Sequence, residues 1–463
     1  LAQPTLVAVT LLGLSLAGNR GWMLTTLAGF GAFFVTTMVC HKELYDQRPD
    51  TGRLTEFYLW MSLGGVLGGI FAALVAPQIF NAILEFPLLL VAGLACRPGV
   101  RTTVSNRREV QDAGSTALVM TTLVLAFAAA IMAGFVPHSI ASGAASLVIV
   151  VLGVLVLASI AKPLHVVSLS VVMGLALCWL PSAMSSGFSE RSFFGVHRVT
   201  TTPDGSLRLL MHGTTVHGAQ RIKSASGEAA TALVPATYYH PQSPMARGVE
   251  AARLTSAKPA GQLRVGVVGL GSGSLACYAR AAEDWRFYEI DPVVVKLASN
   301  PQLFNFMSQC RPGADVVLGD ARLTLAKEPA GSFDYLVIDA FSSDSVPTHL
   351  LTREALQLYL DKLAPNGLLA LHVTNRHLDL MSVAGAVATS IPGIQAALAD
   401  DRPADPGFDA AASKVVFVAK SAAALQPVFR WKGVTVIEQS GLVPWSDDFS
   451  DILGAILRRY ARQ

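Results

Sequence analysis

Long apolar segments, rarely interrupted by charge, dominate the first 180 or so residues of the chain. A helix needs about 20 mostly apolar residues to cross a bilayer, so this pattern predicts an all-α transmembrane bundle over residues 1–185. The candidate spans are Leu6–Leu16, Gly21–Cys40, Thr55–Phe80, Ala82–Cys96, Ser115–Val136, Ala141–Ile160 and Leu164–Leu180, of which the first and fourth are marginal in length.

From residue 263 onward, short apolar runs alternate with amphipathic segments. The predicted strands are Arg264–Val268, Trp285–Ile290, Asp315–Leu318, Phe333–Ile338 and Gly367–Val373, and helical segments such as Thr352–Leu363 separate them. This alternation predicts a parallel sheet, and therefore an α/β domain over residues 263–463. Residues 186–262, which contain the hairpin signal Pro203–Ser206, are predicted to form a small β domain.

Polar residues follow the predicted strands where each strand ends. The loop Gly269–Gly273 follows the first strand, Glu289 lies at the end of the second, and Asp320 and Asp339 follow the third and fourth. Such a glycine loop lets backbone N–H groups approach a nucleotide, and the acid after it accepts hydrogen bonds from ribose hydroxyls. Because the carboxyl ends of parallel strands share one edge of the sheet, the sequence predicts a nucleotide site there.

The composition indicates a membrane protein and gives no sign of nucleic-acid binding. Of the 463 residues, 52% are hydrophobic and 14% charged, and the mean hydropathy is +0.47, too apolar for a soluble protein of this size. The net charge is +3, and no basic block of five or more residues indicates nucleic-acid binding. The five cysteines are scattered without a Cys-x-x-Cys pair, so neither a zinc site nor a disulfide framework is expected.

Several motifs resemble one known family. The loop has the form Gly-x-Gly-x-Gly, Tyr288–Pro292 contains the second-strand acid, Gly319–Ala321 follows the third strand, and Ser342–Pro347 follows Asp339. Together they resemble the S-adenosylmethionine-binding class I methyltransferase-like fold, and within it the spermidine synthase (aminopropyltransferase) branch. The resemblance covers roughly residues 190–460. The apolar N-terminal part resembles the membrane extension of bacterial multi-pass spermidine synthase-like proteins.

This resemblance implies a Rossmann-like S-adenosylmethionine-binding domain, preceded by a small β-hairpin domain of spermidine synthase type. It also implies S-adenosylmethionine or its decarboxylated form as substrate, and no metal. The positions that match the binding motifs are Gly269, Gly271, Gly273, Glu289, Asp291, Asp320 and Ala321. The positions that match catalytic residues are Asp339, Asp344, Tyr239 and His240.

Three departures from the family pattern argue against a diamine acceptor. Spermidine synthases have Asp-x-x-Asp after the fourth strand, whereas four residues separate Asp339 from Asp344 here. They have a glutamate where Pro241 follows His240, and an Asp-Gly pair where this chain has His212-Gly213. A dicationic diamine needs carboxylates to hold its ammonium groups. Although His212, His217 and His240 are present instead, their spacing fits no metal motif.

The expected function is cleavage of the sulfonium–propyl bond with release of methylthioadenosine, by aminopropyl-type transfer to an acceptor. An alternative is intramolecular cyclisation of S-adenosylmethionine to methylthioadenosine and a homoserine lactone. A nucleotide-sensing transporter and a membrane methyltransferase are further alternatives. The expected partners are a small-molecule substrate and the lipid bilayer, with no nucleic acid, and a homo-oligomer is possible.

The expected location is a bacterial inner membrane, but two indications of orientation disagree. We expect the catalytic domain to be cytoplasmic, because its cofactor is expected in the cytosol. The basic loops 41–54 and 97–113 should both be cytoplasmic, which would place a domain after seven spans on the opposite side. Residues 1–17 lack a basic leader, so we expect a trimmed first spanning helix there rather than a signal sequence.

Overall fold

The computed structural model describes residues 1–16, 22–136, 138–184, 187–213, 215–224, 226–259, 262–340 and 347–461. The chain divides into two compact units, Leu1–Ser186 and Gly187–Gln463. They are called the helical unit and the α/β unit below, and each is described by itself.

The helical unit contains the helices that the apolar segments predict. In chain order they are α1 Ala2–Leu16, α2 Trp22–Asp46, α3 Leu54–Ile70, α4 Ala76–Ile79, α5 Glu85–Gly93, α6 Val100–Val104, α7 Arg107–Met132, α8 His138–Ala158 and α9 Pro163–Met184. A π-helical turn, Phe71–Val75, joins α3 to α4. The buried apolar side chains come mainly from α1, α5, α7, α8 and α9.

Three helical stretches among the described residues are long and apolar enough to cross a membrane. They are Met23–Asp46, Thr51–Ile79 and Arg107–Met132, and few of their side chains are buried. Helices α8 and α9 have 21 and 22 residues and contain the shorter apolar stretches Gly143–Ala158 and Pro163–Cys178. The segment predicted as Ala82–Cys96 forms only Glu85–Gly93 and a 3-10 turn. These helices fit a membrane protein.

The α/β unit begins with a small antiparallel sheet. Its strands are β1 Phe188–Ser192, β2 Gly195–Thr201, β3 Leu207–His212 and β4 Thr215–Arg221, paired in that order. The turn between β2 and β3 falls on the predicted hairpin signal. Gly205 has a φ of +69° there, and the Asp204 carboxylate accepts a hydrogen bond from the Ser206 N–H. The hairpin prediction is therefore correct.

A larger sheet of eight strands follows. The strands are β5 Arg264–Val268, β6 Asp284–Glu289, β7 Asp315–Leu318, β8 Phe333–Ile338, β9 Leu363–His372, β10 Gln395–Asp401, β11 Ser413–Ala419 and β12 Val434–Val436. Their order is β12-β10-β11-β9-β8-β5-β6-β7, and β5 to β9 are parallel, whereas β10 to β12 pair antiparallel. The predicted fold class, a helical bundle followed by a Rossmann-like α/β domain, is confirmed.

Helices cover this sheet. They are α10 Pro244–Thr255, α11 Pro292–Ser299, α12 Ala321–Ala326, α13 Arg353–Lys362, α14 Leu380–Thr389, α15 Ala422–Phe429 and α16 Ile452–Ala461. Two separate apolar clusters result, one containing Trp285 and Phe417 and the other containing Tyr359 and Trp445. Because apolar side chains of the sheet are buried in both clusters, central strands such as β8, Phe333–Ile338, are buried along their whole length.

One expectation was wrong: the structure contains a disulfide. Cys277 and Cys310 are bonded, with their Cα atoms 4.7 Å apart. Cys277 lies in the short helix Ser274–Tyr278 and Cys310 at the end of the π-helical segment Phe306–Cys310, and these two segments pack together. Since the cysteines are 33 residues apart, no local spacing motif could indicate the pair.

Candidate functional site

A cavity of about 260 Å³ lies in the α/β unit, at the carboxyl ends of the central parallel strands. Its wall includes the ends of β5, β6, β7 and β8 together with residues of the small sheet. The sheet order reverses at β5, which lies between β6 and β8. A reversal of this kind opens a crevice between neighbouring strand ends, and nucleotides bind in such crevices.

Close backbone contacts require glycine at two positions of the loop. Gly269 has a φ of +92°, and a Cβ atom there would lie 2.2 Å from the carbonyl oxygen of Asp339. Gly271 has a φ of +54°, and its Cβ would lie 2.6 Å from the carbonyl oxygen of His217 on β4. A side chain at either position would therefore push apart the strands that form the site. Gly269 and Gly271 line the cavity, whereas Gly273 packs against Met307.

Glu289 is held in place by the backbone of the loops around it. Its Oε2 accepts a hydrogen bond from the Leu270 N–H at 2.9 Å, and Oε1 accepts from Ile290 at 2.8 Å and Asp291 at 3.0 Å. Burial raises the pKa of Glu289, although these three N–H groups oppose the shift. Each carboxylate oxygen has more than one acceptor site, so a bound diol can still donate to this side chain.

We predict that Glu289→Ala weakens methylthioadenosine binding at least tenfold. A hydrogen bond to a charged group contributes roughly 1.5–3 kcal/mol, which corresponds to a tenfold or larger change in Kd. The measurement is titration calorimetry on the full chain in detergent. Glu438→Ala, which removes a carboxylate from an exposed position outside the cavity wall, is the matched control. Equal affinity in the two variants would show that Glu289 does not bind the ribose.

Asp320 and Ala321 begin helix α12 at the cavity wall. The Asp320 Oδ1 atom caps the helix by accepting from Arg322 N–H at 2.9 Å and Leu323 N–H at 3.2 Å. Its Oδ2 lies 3.1 Å from His349 Nε2, which also belongs to the cavity wall. The side chain is thus fixed beside the cavity, at a position that matches a binding motif of the family that the sequence resembles.

Asp291 also lines the cavity, but its carboxylate already connects two sheets. Its Oδ2 lies 2.7 Å from His197 Nε2 on β2 and 2.5 Å from the Ser192 hydroxyl, and Oδ1 accepts from the Val293 N–H at the start of α11. Although burial opposes ionisation, the hydrogen bonds from His197 and Ser192 outweigh it and lower the pKa of Asp291. This carboxylate therefore fixes the small sheet against the segment that follows β6 of the larger sheet.

Asp339, at the end of β8, is a buried acid of the cavity wall, with 2% of its side chain exposed. The Tyr239 hydroxyl donates to its Oδ2, and His372 Nδ1, at the end of β9, lies 2.6 Å from its Oδ1. The Tyr238 ring stacks on the His372 ring, with centroids 4.8 Å apart. Burial and then the charge of Asp339 raise the pKa of Tyr239 well above its usual value, so the phenol stays protonated and donates. Sequence reasoning named Asp339 and Tyr239 but missed this contact with His372.

The other predicted catalytic residues do not join this group. His240 lies outside the cavity wall, with its Nε2 2.9 Å from Asp401 Oδ2 on β10. Asp344 lies outside the described residues. His212 and His217 do reach the wall, and burial lowers the pKa of both, that of His217 to about 4. Both rings are therefore neutral at neutral pH. The described residues contain no group of three side chains arranged to hold a metal ion.

Comparison with known proteins agrees with the motifs. No family model matches the chain. Over 113 residues it is 32% identical to a polyamine aminopropyltransferase of Vibrio vulnificus (strain CMCP6), a match that covers 23% of this chain and 36% of that protein. The resemblance to spermidine synthases is confirmed. The match nevertheless spans only about a third of the length of the curated relative.

Solved structures of similar proteins include two spermidine synthases. A probable spermidine synthase from Corynebacterium glutamicum ATCC 13032 is 15% identical, with a TM-score of 0.41 over 57% of this chain and 97% of that one. Spermidine synthase from Thermotoga maritima is 14% identical, with a TM-score of 0.36 over 60% of this chain and 87% of that one.

Proposed function

We propose that this protein is a membrane enzyme that cleaves the bond between sulfur and the propyl side of S-adenosylmethionine or its decarboxylated form. It transfers the aminopropyl-type group to an acceptor and releases methylthioadenosine. The observation that carries this proposal is the position of Asp339. Its carboxylate, fixed by Tyr239 and His372, lines the same cavity as the glycine loop and Glu289.

The binding part of the proposal assigns the nucleoside to the strand ends. The ribose hydroxyls donate to Glu289, and the adenine lies beside Asp320 at the start of α12. The sulfonium then lies between the glycine loop and Asp339. A carboxylate next to a cationic sulfur also stabilises the bound substrate by charge attraction.

The chemical step is a single displacement. A neutral amine of the acceptor attacks the propyl carbon bonded to sulfur, and the carbon–sulfur bond breaks as its electron pair returns to sulfur. The sulfonium becomes the neutral thioether of methylthioadenosine, and the amine proton passes to the Asp339 carboxylate. Tyr239 and His372 keep that carboxylate oriented, so little reorganisation is needed when the charge moves.

A second candidate reaction is favoured by the neutral histidines in the cavity wall. Where a diamine would need carboxylates, His212 and His217 carry no charge at neutral pH. The carboxylate of intact S-adenosylmethionine can attack its own γ-carbon, which forms a homoserine lactone and again releases methylthioadenosine. Because nucleophile and electrophile share one molecule, proximity supplies much of the rate. Asp339 would then hold the substrate ammonium instead of accepting a proton.

The test is to incubate the purified full chain separately with S-adenosylmethionine and with its decarboxylated form, each with and without candidate amines. Mass spectrometry then identifies every product. We expect methylthioadenosine. If it forms only with an amine present, the reaction is transfer, and homoserine lactone from S-adenosylmethionine alone would identify cyclisation.

Two outcomes would contradict the proposal. S-adenosylhomocysteine as the product would show that the methyl carbon is attacked, as in a methyltransferase. Bound nucleotide recovered unchanged after long incubation, with every amine tested, would instead support a nucleotide-sensing transporter. The control is the Asp339→Asn variant, which should bind the same nucleotide but release no methylthioadenosine above background.

A further inference from the structure

The cationic side chains of the helical unit are concentrated in a few segments. Of the nine lysines and arginines before Gly187, eight lie in residues 42–53, 97–108 and at position 162. They are Lys42, Arg48, Arg53, Arg97, Arg101, Arg107, Arg108 and Lys162. The ninth, Arg20, lies outside the described residues.

Side-chain contacts show that these segments lie at one end of the helical unit. Arg101 Nη1 lies 2.5 Å from Gln47 Oε1, and this contact joins the segment after α2 to the segment before α7. Arg97 Nη2 lies 2.6 Å from the carbonyl oxygen of Ile160, which joins the latter segment to the turn before α9. His165 Nε2, near the start of α9, lies 3.3 Å from Asp112 Oδ2 on α7. We call this end, formed by residues 42–53, 97–112 and 159–165, the basic end.

Two connections away from the basic end lack cationic residues. Residues 80–84, which join α4 to α5, and residues 133–136, which follow α7, contain no lysine or arginine. Acidic residues also occur at the basic end, and Lys42 pairs with Asp46. Orientation in a membrane depends on lysine and arginine, however, and acidic residues contribute little. The asymmetry of cationic residues is therefore the relevant signal.

We propose that the basic end contacts the anionic phospholipid headgroups of the cytoplasmic leaflet, and that the α/β unit is extracytoplasmic. Lysine and arginine side chains near the surface of an anionic leaflet are attracted to its headgroups. Helix α9 starts at the basic end and has 22 residues. At 1.5 Å per residue it rises about 33 Å, the thickness of a hydrocarbon core, so the chain leaves α9 at the opposite leaflet.

The disulfide supports the same orientation independently of charge. Cys277 and Cys310, both in the α/β unit, are bonded to each other, whereas Cys40 and Cys96 of the helical unit are free thiols. Disulfides persist in oxidising compartments such as the periplasm, and cytosolic thiols are kept reduced. The expectation of a cytoplasmic α/β unit rested only on where its nucleotide substrate is supplied. With the proposed function, this orientation requires that the sulfonium substrate be carried across the membrane before it reaches the site.

The orientation can be tested without any measurement of activity, so its failure is separate from failure of the proposed function. The full chain is expressed in a bacterial host with Cys40, Cys96 and Cys178 replaced by alanine and the disulfide kept. Two further variants each add one exposed cysteine, Ser105→Cys at the basic end or Lys432→Cys in the α/β unit. Spheroplasts are then treated with a membrane-impermeant maleimide before and after permeabilisation.

We expect Lys432→Cys to be labelled in intact spheroplasts and Ser105→Cys only after permeabilisation. The reverse pattern would overturn the proposal. A second measurement does not depend on these variants: cells that make the unaltered chain are quenched in acid and alkylated with a large maleimide under denaturing conditions. Protection of two of the five cysteines until reductant is added supports the proposal, and five reactive thiols would overturn it.

Discussion

Asp339→Asn is expected to lower the turnover number by at least a hundredfold, while methylthioadenosine affinity changes little. A positioned general base typically contributes a factor of 10² to 10⁴ to the rate, and asparagine cannot accept the amine proton. Asparagine has nearly the same volume, so the β8 end need not move, and the Tyr239 hydroxyl can still donate to the amide oxygen of the new side chain. The change therefore tests charge and basicity rather than packing.

Steady-state kinetics with the substrate found active separate the two candidate reactions. If Asp339 accepts a proton, the loss falls on kcat and KM stays close to that of the unaltered chain. If Asp339 instead holds the substrate ammonium during cyclisation, KM for S-adenosylmethionine rises as well. Asp361→Asn, an exposed carboxylate at the end of α13 and on the opposite edge of the sheet, is the matched control. Full turnover in Asp339→Asn would exclude both roles.

Strands β5 to β8 could be predicted from the sequence because each contains a short apolar run that ends at a polar residue or glycine. The bounds of β5, β7 and β8 are those predicted, and β6 differs by one residue at each end. Strand β9 begins four residues earlier than predicted, at Leu363, since Pro365 and Asn366 interrupt the apolar pattern before Gly367. The antiparallel strands β10 to β12 were not predicted, because their pairing is set by contacts between distant segments.

Some residues of the candidate site could be placed from the sequence, and others could not. The glycine loop, Glu289 and Asp339 could be placed because each follows a recognisable strand. The contact between Asp339 and His372 depends on the register of β8 against β9, which the sequence does not specify. His197 gives no signal at all, since it lies on another sheet and meets Asp291 only in the folded unit. His240 matches a family motif, yet its ring is directed to Asp401 instead of the cavity.

The disulfide between Cys277 and Cys310 also could not be predicted from the sequence. Its removal is the second change from which we expect a large effect. Cys277 lies in the short helix Ser274–Tyr278, which directly follows the glycine loop. Cys310 ends the segment Phe306–Cys310, whose Met307 side chain lies against Gly273, at 2.6 Å from where a Cβ would be. The bond thus connects the segment that supports the nucleotide loop to a segment 33 residues away.

Reduction of this bond is expected to destabilise the α/β unit by about 3–4 kcal/mol, the loop-closure entropy of a loop of this length. Amide hydrogen exchange of β5 and β6, followed by mass spectrometry on the full chain in detergent, measures the change locally. Where exchange requires unfolding of the unit, rates should rise by roughly two to three orders of magnitude. The double variant Cys277→Ser/Cys310→Ser should match the reduced chain and respond no further to reductant, and Cys178→Ser should match the oxidised chain. Equal exchange in oxidised and reduced protein would show that the bond does not constrain the nucleotide-binding fold.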